Sequence, residues 1–160
     1  MSSVLTITGL AFVVLAGLVH VLIFALESLL WRSRRTWRQF GIRSAEDAEV
    51  ARPWAFNQGF YNLFLAVGAI AGGVGAIVGL IRGPSWVAWA PLEAADAFGW
   101  GPRLDGWGWV AVFSALCMLG AAVVLLASSR GKQLRGTLIQ GTAPLIGLVL
   151  LAAGAAVAPA

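Results

Sequence analysis

Leu18-Val19-His20-Val21-Leu22-Ile23-Phe24-Ala25-Leu26-Glu27-Ser28-Leu29-Leu30-Trp31 decides how the chain is read, because an imidazole and a carboxylate stand inside an otherwise apolar run. His20 and Glu27 are seven residues apart, so on a helix they share one face, about two turns and roughly 10 Å from each other. Phe24 sits between them. Gly17, His20, Phe24, Glu27 and Trp31 follow one another at spacings of three and four, whereas Val19, Leu22, Ile23 and Leu26 suit lipid. The stripe is the face expected to turn inward against other helices.

Outward from this stretch the chain is far more apolar than a soluble domain. It has 160 residues, 59% hydrophobic and 11% charged, with a mean hydropathy of +0.85. Four runs, about 4–30, 56–81, 107–129 and 137–157, approach the roughly 20 residues a helix needs to cross hydrocarbon. The expectation is an all-α, four-helix transmembrane bundle forming one integral-membrane domain over 1–160. A cleavable signal peptide is a poor account of the first run, since no basic residue precedes it and it exceeds the short apolar core of such signals. A membrane barrel would show short alternating segments, and these runs are continuous and rich in Gly, Ala and Leu.

The net charge of +4 is informative through its placement. Arg32, Arg34, Arg35, Arg38, Arg43 and Arg52 fall in the first connector, Arg82 and Arg103 in the second, and Arg130, Lys132 and Arg135 in the third. The positive-inside rule then puts the first and third connectors in the cytoplasm and both termini outside, as for a plasma-membrane protein. Anionic lipid headgroups at Arg32–Arg38 account for the basic balance, and no nucleic-acid partner is expected. Trp31, Trp37, Trp54, Trp86, Trp89 and Trp107 are candidate interface anchors.

Ser44-Ala45-Glu46-Asp47 reads as a capping signature, and Arg52-Pro53 as a stop, so a short cytoplasmic surface helix is expected between helices one and two. The second span carries Gly68-x-x-x-Gly72 and Gly75-x-x-x-Gly79, which serve either packing within the bundle or self-association. The second connector, 82–106, is rich in Pro and Trp. It reads as an aromatic belt or as the surface for a membrane-protein partner.

Topology brings the polar residues of three helices to one side of the membrane. Glu27 shares a depth with Asn57 and Gln58; His20 lies deeper, near the level of Tyr61 and Asn62; Gln140 descends from helix four. An unpaired charge near the bilayer centre costs about 2.5 to 3.5 kcal/mol on insertion scales. Glu27 must therefore carry a proton, meet water or be held by donors such as Asn57, Gln58, Tyr61 or His20. The seven residues outline a polar pocket open toward the cytoplasm, with His20 and Glu27 as its acid-base pair. The alternative is that they only fix helix register.

Other chemistries fare worse. Cys117 is the single cysteine, which rules out an intrachain disulfide or a CxxC pair. One His with one nearby carboxylate leaves a metal short of ligands, so neither metal nor cofactor is expected. Ser28 lies about 100° around the helix from Glu27, so no nucleophile, base and orienter line up. No catalytic residue is assigned.

His20-x6-Glu27-x3-Trp31, Phe40-Gly41, Asn57-Gln58-Gly59-Phe60-Tyr61-Asn62 and Gln140-Gly141-x-x-Pro144 together resemble the small bacterial integral-membrane family catalogued as domain of unknown function 1304. The resemblance implies a four-helix membrane protein and supplies no mechanism. The second connector looks longer than that family's usual link, which would suit a docking surface. Three functions stay open: a module binding or transporting a small molecule with proton coupling, a membrane isomerase or hydrolase using the same pair, and an accessory subunit of a larger complex.

Overall fold

The computed structural model describes residues 2–82, 104 and 106–157. It is all helical among the described residues. Helix α1 (Ser2–Phe24) passes directly into a π-helical turn, Ala25–Leu29; a short helix α2 (Arg34–Gln39) follows, then α3 (Ala45–Arg82), α4 (Gly106–Ser128) and α5 (Leu134–Ala156). Four of these segments are long and apolar enough to span a membrane: Ser3–Leu29, Ala45–Arg82, Gly106–Ser128 and Leu134–Ala156.

The four long helices form a ring. Each of α1 and α4 packs against both α3 and α5, and α1 meets α4 only across the diagonal. Neighbours approach closely because the contact positions are small. A Cβ added at Gly17 would lie 3.1 Å from the Ala66 carbonyl oxygen, and one at Gly72 would lie 2.6 Å from the Ala111 nitrogen. The core is accordingly rich in alanine: Ala16, Ala69, Ala111 and Ala115 are fully buried beside Leu10, Val13 and Met118. The bulky residues are outside, with Leu18, Leu22, Phe64, Val67, Phe113, Leu116 and Val149 all more than half exposed. Small residues within and Leu, Val and Phe without is the arrangement of helices whose solvent is lipid.

The inward stripe of α1 is where its spacing put it. Thr6, Leu10, Val13, Gly17, His20 and Glu27 are buried, and so is Trp31 beyond the π turn. Three of the four motif glycines of α3 are occupied within the chain: Gly68 faces Ser114, Gly72 faces Ala111, and the Trp107 ring covers Gly75.

Two expectations need correction. The helix capped by Ser44, whose Oγ accepts a hydrogen bond from the Asp47 amide at 3.0 Å, does not stop at Pro53. It runs on as α3, and the short helix between helices one and two is α2, earlier in the same connector. Pro53 is exposed in the second turn and a half of α3, where the Glu49 carbonyl that it cannot pair with can be met by solvent. At 38 residues α3 is about 57 Å long, nearly twice the hydrocarbon thickness of about 30 Å. Its first three turns therefore stand clear of the bundle.

Trp31 and Trp37, expected to lie open at the headgroup level, are instead 7% and 6% exposed. They pack with Ala48 and Ala55 of the protruding α3 segment and with Phe40 and Ile42, making a second small core on the arginine-rich side. The Trp31 Nε1–H donates to the Ala48 carbonyl at 2.8 Å, which satisfies the one polar atom of a buried indole. Trp54 and Trp107 do face outward, at 77% and 41%. Trp86, Trp89 and nearly all of the partner surface expected over 82–106 lie outside the described residues.

Candidate functional site

The π turn is the local feature that builds the site. Its extra residue is marked by the Leu30 amide donating to the Ala25 carbonyl at 2.9 Å, five residues back, and such turns often sit at functional positions. Here it presses Glu27 and Ser28 onto α3. The Ser28 hydroxyl donates to the Phe56 carbonyl at 2.9 Å. The closeness depends on Gly59, where an added Cβ would overlap Ser28 Oγ and lie 3.2 Å from Glu27 Cβ.

Asn62 is three residues beyond Gly59 and so on the same helix face. Its Nδ2 donates to Glu27 Oε2 at 2.8 Å and to the Gln58 carbonyl at 3.1 Å. Glu27 and Asn62 are 8% and 7% exposed. The carboxylate is thus inside the bundle with one side-chain donor, and no Lys, Arg or His lies within ion-pair distance of it among the described residues.

His20 is completely buried. Its Nδ1 donates to the Ala16 carbonyl at 2.9 Å, which leaves Nε2 as the acceptor of a neutral ring. Nε2 has no partner, and among the described residues the other buried side-chain atom in that condition is Thr137 Oγ1. The two stand on facing helices. Thr6 meets Gly154 and Val13 meets Gly147 across α1 and α5; one further antiparallel step of seven residues sets His20 at the level of Gln140, with Thr137 one turn away. Buried polar atoms are nearly always paired, so each of these two orphans is an atom that water or a ligand could satisfy.

The seven candidate residues are therefore divided. Glu27 and Asn62 are joined directly; His20 is enclosed about 10 Å of helix rise from Glu27, too far for a direct bond; Gln140 is half-buried at the level of His20. Asn57, Gln58 and Tyr61 point away from the bundle, with Tyr61 57% exposed. The Asn-Gln-Gly-Phe-Tyr-Asn run cannot aim all its polar groups one way, because successive helix residues turn by about 100°. Thr137 was not among the residues singled out by sequence. A threonine in a helix usually bonds its own backbone, and only its burial distinguishes it.

An all-α ring of four membrane-length helices with a buried carboxylate, amide and imidazole defines a multi-pass membrane protein. The chain belongs to the family described as "Protein of unknown function (DUF1304)", whose model matches residues 5–89. That range takes in most of α1, the π turn, α2 and α3, and leaves Gln140 and Pro144 outside it. No curated protein and no solved structure was found to match the chain.

Proposed function

We propose that this protein is a single-domain, multi-pass protein of the bacterial plasma membrane that binds or carries a small polar or amphiphilic molecule, with Glu27 and His20 as its proton-exchanging groups. The observation that carries the reading is that His20 Nε2 and Thr137 Oγ1 are both buried without a partner, with a carboxylate held by a single amide about two helix turns from His20. A guest with a donor for Nε2 and another for Glu27 would complete both, bridging the two turns between them. Asn62 orients the carboxylate, and Gln140 supplies a further amide. The positive-inside rule applied to the basic connectors supports an orientation with this end of the bundle toward the cytoplasm and both termini outside.

Native mass spectrometry of the detergent-extracted protein tests the proposal. The wild-type chain should retain a small molecule that Glu27→Gln and His20→Ala lose while keeping the helical circular dichroism of the wild type. Failure of the wild type to retain any guest, or unfolding of both variants, overturns it in favour of a purely architectural role.

One observation favours a second reading, the accessory subunit. Val50, Trp54, Asn57, Tyr61 and Phe64 recur at spacings of four and three along the exposed face of α3, and an amide and a phenol on a lipid-facing stripe gain from a protein partner. Co-purification of a stoichiometric partner chain that Asn57→Leu/Tyr61→Leu releases would select this reading.

A further inference from the structure

The two arginine-rich connectors enclose an open cleft of about 970 Å³ on the side of the second small core. Arg38, Phe40, Gly41, Ile42 and Arg43 form one wall; Ser128, Ser129, Arg130, Lys132 and Gln133 form the other. Four cations face this space and, among the described residues, no carboxylate lines it. None of the four is within ion-pair distance of an acidic side chain among the described residues. Like charges gathered about one cavity repel, so the arrangement is stabilised by an anion.

The backbone is shaped to make the cleft. Arg130 has φ of 50° and Gly131 of 78°, so α4 ends on two successive left-handed residues, and the Gly131 amide donates back to the Leu126 carbonyl at 3.1 Å. A non-glycine residue held left-handed costs about 1 kcal/mol or more, and such outliers concentrate at binding sites. Gly41, at φ 82°, brings the other wall so near that an added Cβ would lie 2.8 Å from Gln133 Nε2. Gln133 precedes the first turn of α5 and makes no side-chain cap there, so the partial positive charge of that helix end adds to the four formal charges.

We propose that this cleft binds the phosphate headgroup of an anionic phospholipid, held by Arg38, Arg43, Arg130 and Lys132, with the acyl chains lying along Leu134 and Leu138. Three features favour a lipid over a soluble phosphate. The cleft opens where α4 ends and α5 begins, its wall includes apolar Phe40 and Ile42, and Leu134 and Leu138, 50% and 56% exposed, continue from its rim down the outer face of α5. Basic pockets between membrane helices are known headgroup sites. The proposal rests on reading the connectors as lipid-facing and sharpens it from a general attraction at Arg32–Arg38 to one site. It is independent of the guest proposed at Glu27.

Titration of the full-length protein in zwitterionic detergent with dioleoylphosphatidylglycerol, read by native mass spectrometry, tests it. Arg38→Gln/Arg43→Gln and Arg130→Gln/Lys132→Gln should each weaken lipid binding at least about tenfold, from the loss of two charges. Arg32→Gln/Arg34→Gln/Arg35→Gln removes three charges outside the cleft and should change it less than about threefold. Dioleoylphosphatidylcholine should bind no better to the wild type than to the cleft variants, and millimolar inorganic phosphate should displace no lipid. Equal weakening by the outer triple variant overturns the site in favour of diffuse attraction. Displacement by inorganic phosphate overturns the lipid assignment. A double variant that loses its helical circular dichroism is replaced by its two single substitutions. Glu27→Gln should leave the titration unchanged, which separates this test from that of the intramembrane guest.

Discussion

Gly59→Ala is the most exposing single change, because the π turn of α1 sits against α3 only where Gly59 has no side chain. The new methyl would overlap Ser28 Oγ and crowd Glu27 Cβ and Ser28 Cβ at 3.2 Å each. Ser28 can move only by giving up its bond to the Phe56 carbonyl, a loss of about 0.6 kcal/mol for a typical interhelical bond in a membrane. Residual overpacking adds about 1 to 3 kcal/mol. Against this stands a gain of about 0.5 to 1 kcal/mol, because alanine favours the helix. The net expectation is a destabilisation of about 0.6 to 3 kcal/mol. Gly120→Ala is the control: nothing lies within 4 Å of an added Cβ there, so only the gain applies and the protein should be slightly more stable. Reversible unfolding in mixed detergent, followed by circular dichroism, measures both. Adding Ser28→Ala to Gly59→Ala should recover part of the loss, since the overlapped atom is then gone. If Gly59→Ala behaves like Gly120→Ala, or if Ser28→Ala gives no recovery, the π turn does not rest on α3 as described.

Two further outcomes follow from the segment on the arginine-rich side. Trp31→Phe keeps an aromatic ring near Phe40, 5.4 Å away in the wild type, but loses the donor to Ala48. It should cost about 1 to 2 kcal/mol and raise amide exchange in 31–55 while leaving α4 and α5 protected. Pro53→Ala restores an amide at an exposed helix position and should be stabilising by about 1 to 3 kcal/mol in the same unfolding assay. A destabilised Pro53→Ala would mean that the proline is needed for a bend in α3.

Much of this architecture was legible before any coordinates. Apolar length alone located α1, α4 and α5, and the spacing of Gly17, His20 and Glu27 identified the buried face of α1 and its π turn, with Phe24 half-buried between them. The start of α3 was also legible, because Ser44 is a side-chain cap. Its continuity was not: Pro53 reads as a terminator, yet outside hydrocarbon the Glu49 carbonyl it leaves unpaired can be hydrated. The burial of Trp31 and Trp37 was hidden for the same reason. Without the projecting turns of α3 there is nothing for them to pack on, and an interface belt is the natural reading of Trp near Arg.

The polar residues were found by type but not by direction. Glu27 and Asn62 meet because the π turn rotates one helix toward the glycine face of the other, and no residue in Ala25–Leu29 announces that turn. Asn57 and Tyr61 share the motif of Asn62 and fall on the opposite side of the helix through the 100° step alone. The cleft between the connectors is tertiary in origin, joining Arg38 and Arg43 to Arg130 and Lys132 across about ninety residues of sequence.

The joining of Glu27 to Asn62 across α1 and α3 is tested most directly by a double-mutant cycle in the same detergent unfolding assay, using Glu27→Leu, Asn62→Leu and the pair. A coupling energy of about 0.6 to 1.7 kcal/mol, the range for interhelical hydrogen bonds in membranes, is expected. Effects that add to within about 0.3 kcal/mol would contradict it and leave the carboxylate without the partner that holds it inside the bundle.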